Sequence, residues 1–342
     1  MKLLQRYMLA AALALVFVSS ACAKGSAERA GLALGTVCSI RILDGASERA
    51  LDEAFARLAA IEEVMSANKE GTVVAAINAS AGMAPVKAPK DLRFVVEKAL
   101  WYAQLSGGAF DPTIGPVVKL WNIGLDGERV PMPREIEAAL PLVGYRGVEL
   151  DDKAGTIYLS KKGMLLDLGA IAKGYAADEV GRILLARGVK AAVIDLGGNV
   201  KVVGRKKDGS KWRIGVQNPF NERGSYIGIA ALEGSATVVT SGIYERFFTG
   251  DDGRHYHHIL DSATGYPVAG TLVSVTIISS SSIDADGLST TVFALGLDRG
   301  MALIESLDHV DAVFIDEDKR VFLSSGARKL FTLSDASFTL AN

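Results

Sequence analysis

The chain has 342 residues, 49% of them hydrophobic and 22% charged, which is enough bulk for one large domain or two small ones. A net charge of -2 without a long Lys/Arg run gives no electrostatic basis for nucleic acid as partner. With only 2 cysteines, Cys22 near the start and Cys38, the chain is no disulfide scaffold.

Lys2 and Arg6 precede an apolar run over residues 8–18 that ends in Ser19-Ser20-Ala21-Cys22. The run is too short to span a bilayer and has the three-part form of a secretory signal. Small residues directly before a cysteine resemble a bacterial lipobox, although Ser19 stands where leucine is usual. The reading is a signal peptide over residues 1–21, cleavage before Cys22, lipidation on Cys22, and a lipid-anchored linker over residues 22–30. Plain cleavage at residues 21–23, giving a free periplasmic protein, is the alternative. Cys38 would then be the only cysteine left, and its place in Val37-Cys38-Ser39-Ile40 predicts a small buried hydrophobe.

Residues 34–43 read as a strand leading into a helix opened by Ser47, where Leu51, Phe55, Leu58, Ile61 and Met65 recur at helical spacing. Residues 66–71 are a loop by composition. A second helix is predicted from a cap at Asp91, with Val95, Ala99 and Tyr102 on one face, and Gly107-Gly108 stops it. The following Ala109-Phe110-Asp111-Pro112-Thr113-Ile114-Gly115-Pro116 holds two X-Pro steps and reads as an ordered loop. Residues 147–160 alternate about Asp151-Asp152-Lys153-Ala154-Gly155 as a hairpin. Met164-Leu165-Leu166 runs into Asp167-Leu168-Gly169-Ala170-Ile171-Ala172-Lys173-Gly174-Tyr175, and a helix follows to Arg187. Strands are predicted at residues 191–194, 212–216, 226–232, 236–240 and 272–278. A helix over 283–295, another over 301–307, and a hairpin of 311–315 with 320–323 close the chain. No linker divides it, so a single α+β domain of mostly antiparallel or mixed sheets packed with helices is expected over residues 31–335.

Three of the 4 histidines lie in the hairpin signalled by Asp251-Asp252-Gly253, whose second strand is read as residues 255–260. Period-2 alternation puts Tyr256, His258 and Leu260 on one face and His255, His257 and Ile259 on the other. A histidine among such neighbours is by itself more often a hydrogen-bonded core residue than a catalyst. At the start of the helix near residue 283, Asp286 and Thr290 are four apart and share a face. A carboxylate with a hydroxyl suits a hard cation such as Mg²⁺, while helix-capping Asp284 and a first-turn Asp286 are the structural explanation. The 167–174 segment is a strand-to-helix turn of small residues where backbone approaches a ligand closely, and Lys173 offers a charge to a phosphate. Its spacing is neither a Walker loop nor a dinucleotide fingerprint.

Taken together these segments, with Leu34-Gly35-Thr36, Leu196-Gly197-Gly198, Trp212-Arg213-Ile214-Gly215-Val216-Gln217, Thr240 to Phe248 and His258-Ile259-Leu260-Asp261, resemble one family: the ApbE-type FAD:protein FMN transferases. The likeness runs from Leu34 to Thr290. It implies an ApbE-like (T-fold-like) architecture and FAD as substrate, whose FMN half moves to a threonine or serine of a partner protein with release of AMP. It further implies Mg²⁺ on Asp286, Thr290 and the backbone carbonyl of Ala170, and FAD contacts at Leu34, Asn68, Ala109, Phe110, Asp111, Asp167, Lys173 and Leu260. His258 becomes the candidate general base. The partner expected from the family and the address is a membrane electron-transfer subunit on the periplasmic side of a bacterial membrane, the inner more than the outer.

One departure stands out: Asn68 occupies a position where the family commonly has tyrosine. An aromatic there can stack on the isoalloxazine and exclude water. Asparagine predicts a more open flavin site and appreciable hydrolysis of FAD to FMN and AMP. A reading from another class is a non-catalytic flavin-binding lipoprotein; Asp286 and Thr290 favour the enzyme.

Overall fold

The computed structural model describes residues 26–222 and 224–341, so Cys22 and the signal segment lie outside the described residues. No helix among the described residues is long and apolar enough to cross a membrane.

A nine-stranded sheet organises the molecule, in the order Ala27–Ala33, Thr36–Asp44, Ala191–Leu196, Asn199–Gly204, Ala236–Gly242, Leu272–Ser279, Val310–Asp316, Arg320–Leu323 and Thr339–Ala341. Neighbours are antiparallel except the last pair. Every residue of Leu272–Ser279 is buried, because layers cover both of its faces. On one face Val275 and Ile277 meet the helices Glu48–Met65, Ala172–Ala186 and Ser282–Leu295. On the other, Val273 and Ile278 meet a three-stranded sheet, Trp212–Gln217, Tyr226–Leu232 and Phe331–Leu333.

The helix opened by Ser47 forms as expected, its hydroxyl accepting from the Ala50 amide at 3.1 Å. Leu51, Leu58, Ile61 and Met65 are buried, each such side chain contributing about 1.5–3 kcal/mol, and Phe55 is half-buried. Cys38 is fully buried, and burial pushes its thiol up to about 11, so it behaves as a small apolar residue.

Four expectations need correction. Residues 27–30 belong to the edge strand Ala27–Ala33 rather than to a linker, because the turn at Leu34 and Gly35 folds them back onto Thr36–Asp44. The second helix, Lys90–Leu105, has Pro89 at its cap; Asp91 sits in the first turn and pairs with Arg57 instead. The domain runs past residue 335, since Thr339–Ala341 adds a strand to the main sheet. The histidine strand is only His255–His257, paired with Phe247–Thr249, and Leu260 lies in a separate bridge to Pro267. Tyr256 and Leu260 nevertheless share the cluster around Trp121, and Ile259 faces the main core, as alternation requires. A helix absent from the sequence reading, Val73–Ala79, is capped by the Thr72 hydroxyl.

Candidate functional site

Two helices cross closely enough to create the site. At Gly174 an added Cβ would strike the Ser282 carbonyl oxygen and stand 2.7 Å from the Asp286 Cβ, so glycine sets how near Ala172–Ala186 approaches Ser282–Leu295. The Gly174 amide donates to Asp286 Oδ2 at 2.8 Å. The other carboxylate oxygen, Oδ1, lies 3.8 Å from Lys173 Nζ, which donates to the Gly169 carbonyl at 3.1 Å. An ammonium thus stands between a buried carboxylate, 4% exposed, and the Gly169 carbonyl.

One turn along, the Thr290 hydroxyl lies 3.3 Å from Ser241 Oγ, which lies 2.8 Å from Ser289 Oγ. Ser241 comes from Ala236–Gly242, so the sheet itself brings a hydroxyl to the helix. The turn at Gly197 and Gly198 lies beside Thr36, at the same end of the sheet as Leu34. Leu34 adopts φ 53°, the left-handed conformation that lets the chain reverse there.

The loop after Gly108 is joined to this centre by backbone. The Asp167 amide donates to the Pro112 carbonyl at 2.8 Å, and Asp167 Oδ1 accepts from the Gly169 amide at 2.8 Å. Asp111 faces inward, accepting from the Thr113 amide and hydroxyl and from the Tyr145 amide at 2.8, 2.6 and 2.9 Å. Burial raises its pKa, and the Thr113 and Tyr145 bonds only partly offset this. The Phe110 ring is buried edge-on to Tyr102, and Leu260 is buried against Trp121. The side chains of Asp111, Phe110 and Leu260 therefore face the interior, while Ala109 remains half-exposed.

Asn68 is exposed and lines an open cleft of about 640 Å³ with Asn78, Lys119, Leu120, Arg129 and Leu165. Its link to the centre is Asn78, whose amide group bonds both the N–H and the C=O of Leu166, just before Asp167.

His258 is half-buried at the edge of its hairpin. Its Nδ1 lies 3.1 Å from the Arg246 carbonyl, which can only accept, so the proton sits on Nδ1 and the lone pair on Nε2. Burial is the largest influence pushing its pKa down to about 4; the bond to the Arg246 carbonyl opposes this, and the charges of Arg246, His257 and Lys173 push the same way as burial. His257 instead packs edge-on to Phe293 and donates to the Val268 carbonyl, a core role.

Among the described residues no cluster of three or more His, Cys, Asp or Glu could hold a metal. A cation here would rest on Asp286 and neutral oxygens, and the donors fit: Asp286 Oδ1 is left free of backbone bonds and already faces a positive group. Four participants were not singled out from the sequence: Gly174 for the helix crossing, Ser241 and Ser289 for the hydroxyl chain, and Arg246 for the carbonyl that orients His258. The run of residues 240–248 was the only signal for two of them.

A buried carboxylate beside a lysine and a turn of small residues, at one end of a largely antiparallel sheet, is an arrangement whose chemistry suits an anionic ligand and a cation together. The chain belongs to the ApbE family, whose pattern matches residues 34–314. It is 41% identical over 332 residues to an FAD:protein FMN transferase of Treponema pallidum, covering 92% of this chain and 91% of that one. A Klebsiella pneumoniae protein of the same name is 39% identical over 277 residues, covering 81% and 85%. The crystal structure of an ApbE protein from Thermotoga maritima superposes with TM-score 0.81 at 32% identity, covering 89% of this chain and 99% of that one. The flavin transferase ApbE of Vibrio cholerae gives 0.76 at 26% identity, with the same coverage. The α+β architecture expected from the sequence is that of these neighbours.

Proposed function

We propose that this protein transfers the FMN half of FAD to a threonine or serine hydroxyl of a partner protein and releases AMP. The observation that carries the reading is the meeting of Lys173 with Asp286, at 3.8 Å, beside the 167–174 turn. Its relatives' shared name points to the same reaction.

The reaction is displacement at a phosphorus atom of a pyrophosphate, so the site must neutralise charge and activate a hydroxyl. Mg²⁺ would be held by Asp286, Thr290 and the Ala170 carbonyl, and would supply Lewis-acid stabilisation of the phosphate oxygens. Lys173 would give up the Gly169 carbonyl and pair with a phosphate. Leu34, the 109–111 backbone, Asp167 and the Leu260 backbone would bound the dinucleotide. His258, neutral and with Nε2 unprotonated, would take the proton of the attacking hydroxyl.

Asn68 favours a second outcome of the same chemistry. A small polar side chain on the rim of an open cleft leaves water in competition with the acceptor hydroxyl, so hydrolysis of FAD to FMN and AMP accompanies transfer. The acceptor would be a membrane electron-transfer subunit on the periplasmic side, met by an enzyme anchored through lipid on Cys22, in the inner membrane rather than the outer.

Incubating the protein with FAD and Mg²⁺, with and without candidate acceptors, tests the reading. AMP release together with flavin bound covalently to an acceptor supports it. Flavin binding without AMP would make the chain a non-catalytic flavin-binding lipoprotein instead.

A further inference from the structure

Hydroxyl protons can be counted along the Thr290 side of the site, because each serine or threonine has one to donate. Ser289 Oγ donates to the Asp286 carbonyl at 2.9 Å, and a carbonyl cannot donate in return. Its proton is therefore spent, so in the 2.8 Å contact with Ser241 it is Ser241 that donates. That spends the Ser241 proton too. In the 3.3 Å contact between Ser241 and Thr290, Thr290 must then be the donor.

We infer that Ser241 and Ser289 are positioning residues that fix the direction of the Thr290 hydroxyl, taking its proton and leaving its oxygen lone pairs free for a cation. The relay runs from Thr290 through Ser241 and Ser289 to the carbonyl of Asp286, so its far end is the backbone of the other proposed metal-holding residue. Ser289 is fully buried and bonded to the Asp286 carbonyl, so its part is to accept the proton of Ser241. Reversing the relay would turn the Ser241 proton onto Thr290 and occupy a lone pair. This inference rests on the proposed cation site at Asp286 and Thr290.

The probe is Mn²⁺ binding to the whole protein, read by electron paramagnetic resonance, with Mg²⁺ competition and thermal melting alongside. Neither readout depends on turnover. Ser289→Ala frees the Ser241 proton for Thr290, and the expected result is weaker Mn²⁺ binding, on the order of 10-fold as for other residues that orient metal ligands, at an unchanged melting temperature. Ser241→Ala also weakens binding, and Ser241→Thr restores it. The decisive variant is Ser241→Ala with Ser289→Ala, which should bind no more weakly than Ser241→Ala alone, since without Ser241 there is no proton to misdirect. Should Ser289→Ala fail to fold, Ser289→Cys fills the same space with a weak hydrogen-bonding group and is read the same way. Losses that add in the double variant, or a Ser289 variant that binds like the wild type, overturn the relay while leaving the cation site standing. A wild-type protein that binds neither ion removes the site and the relay together.

Discussion

Lys173 Nζ stands 3.8 Å from Asp286 Oδ1 while the partner oxygen, Oδ2, is held by the Gly174 amide at 2.8 Å. Adjacent residues at the start of one helix thus address the two oxygens of a single buried carboxylate on another. One contact fixes the carboxylate in place and the other is loose enough to be exchanged. Lys173→Met is expected to raise KM for FAD by about 10- to 100-fold, the loss of a charge-assisted hydrogen bond worth about 1.5–3 kcal/mol. Steady-state AMP release over a range of FAD concentrations checks this, and an unchanged KM would place Lys173 outside the phosphate site.

Asp286→Asn keeps an oxygen that can accept from the Gly174 amide but removes the charge. The expected outcome is a near-native melting temperature with loss of Mg²⁺-dependent AMP release. Persistent release at ordinary Mg²⁺ concentrations would move the cation elsewhere.

Gly174→Ala would ordinarily gain about 0.5–1 kcal/mol of helix stability, but here the new methyl meets backbone of the crossing helix. Overpacking of this kind costs about 1–3 kcal/mol, so the clash wins and the variant is destabilised. The urea midpoint should fall and metal affinity should fall with it, because Asp286 is pushed off the crossing. A stabilised variant with intact affinity would mean that the helices can part freely.

Because burial and neighbouring positive charge hold the pKa of His258 down to about 4, its base form persists far below neutrality. The value of kcat/KM should stay level from about pH 8 to pH 5 and fall only toward pH 4, where an unperturbed histidine would lose activity near pH 6.5. The sign for folding follows. The unfolded chain takes up this proton first, so the stability linked to neutral His258 is whole above the unfolded value and is lost as pH falls through about 4. A pH profile for His258→Gln that keeps the same shape would assign the titration to another group.

Asn68→Tyr should lower the ratio of FAD hydrolysis to FMN transfer by giving the cleft an aromatic wall. Free FMN and protein-bound flavin counted in one reaction supply the ratio, and no change would separate Asn68 from the flavin.

The amino-acid order by itself determined most of the elements, since local rules specify them: Ser47 caps its helix, the histidine hairpin turns at Asp251-Asp252-Gly253, and Asp286 and Thr290 share a helical face. Residues 27–33 escaped that reading because an edge strand of mixed small and charged residues is recognisable only once Thr36–Asp44 pairs with it. Asp91 was misplaced because Arg57, which claims its carboxylate, is distant in sequence. Likewise, the Lys173 and Asp286 contact, the Ser241 hydroxyl beside Thr290 and the inward turn of Asp111 were decided by tertiary structure alone. Each depends on how closely layers pack, and that distance is set by side chains such as the missing one at Gly174, whose effect appears only when two remote helices cross.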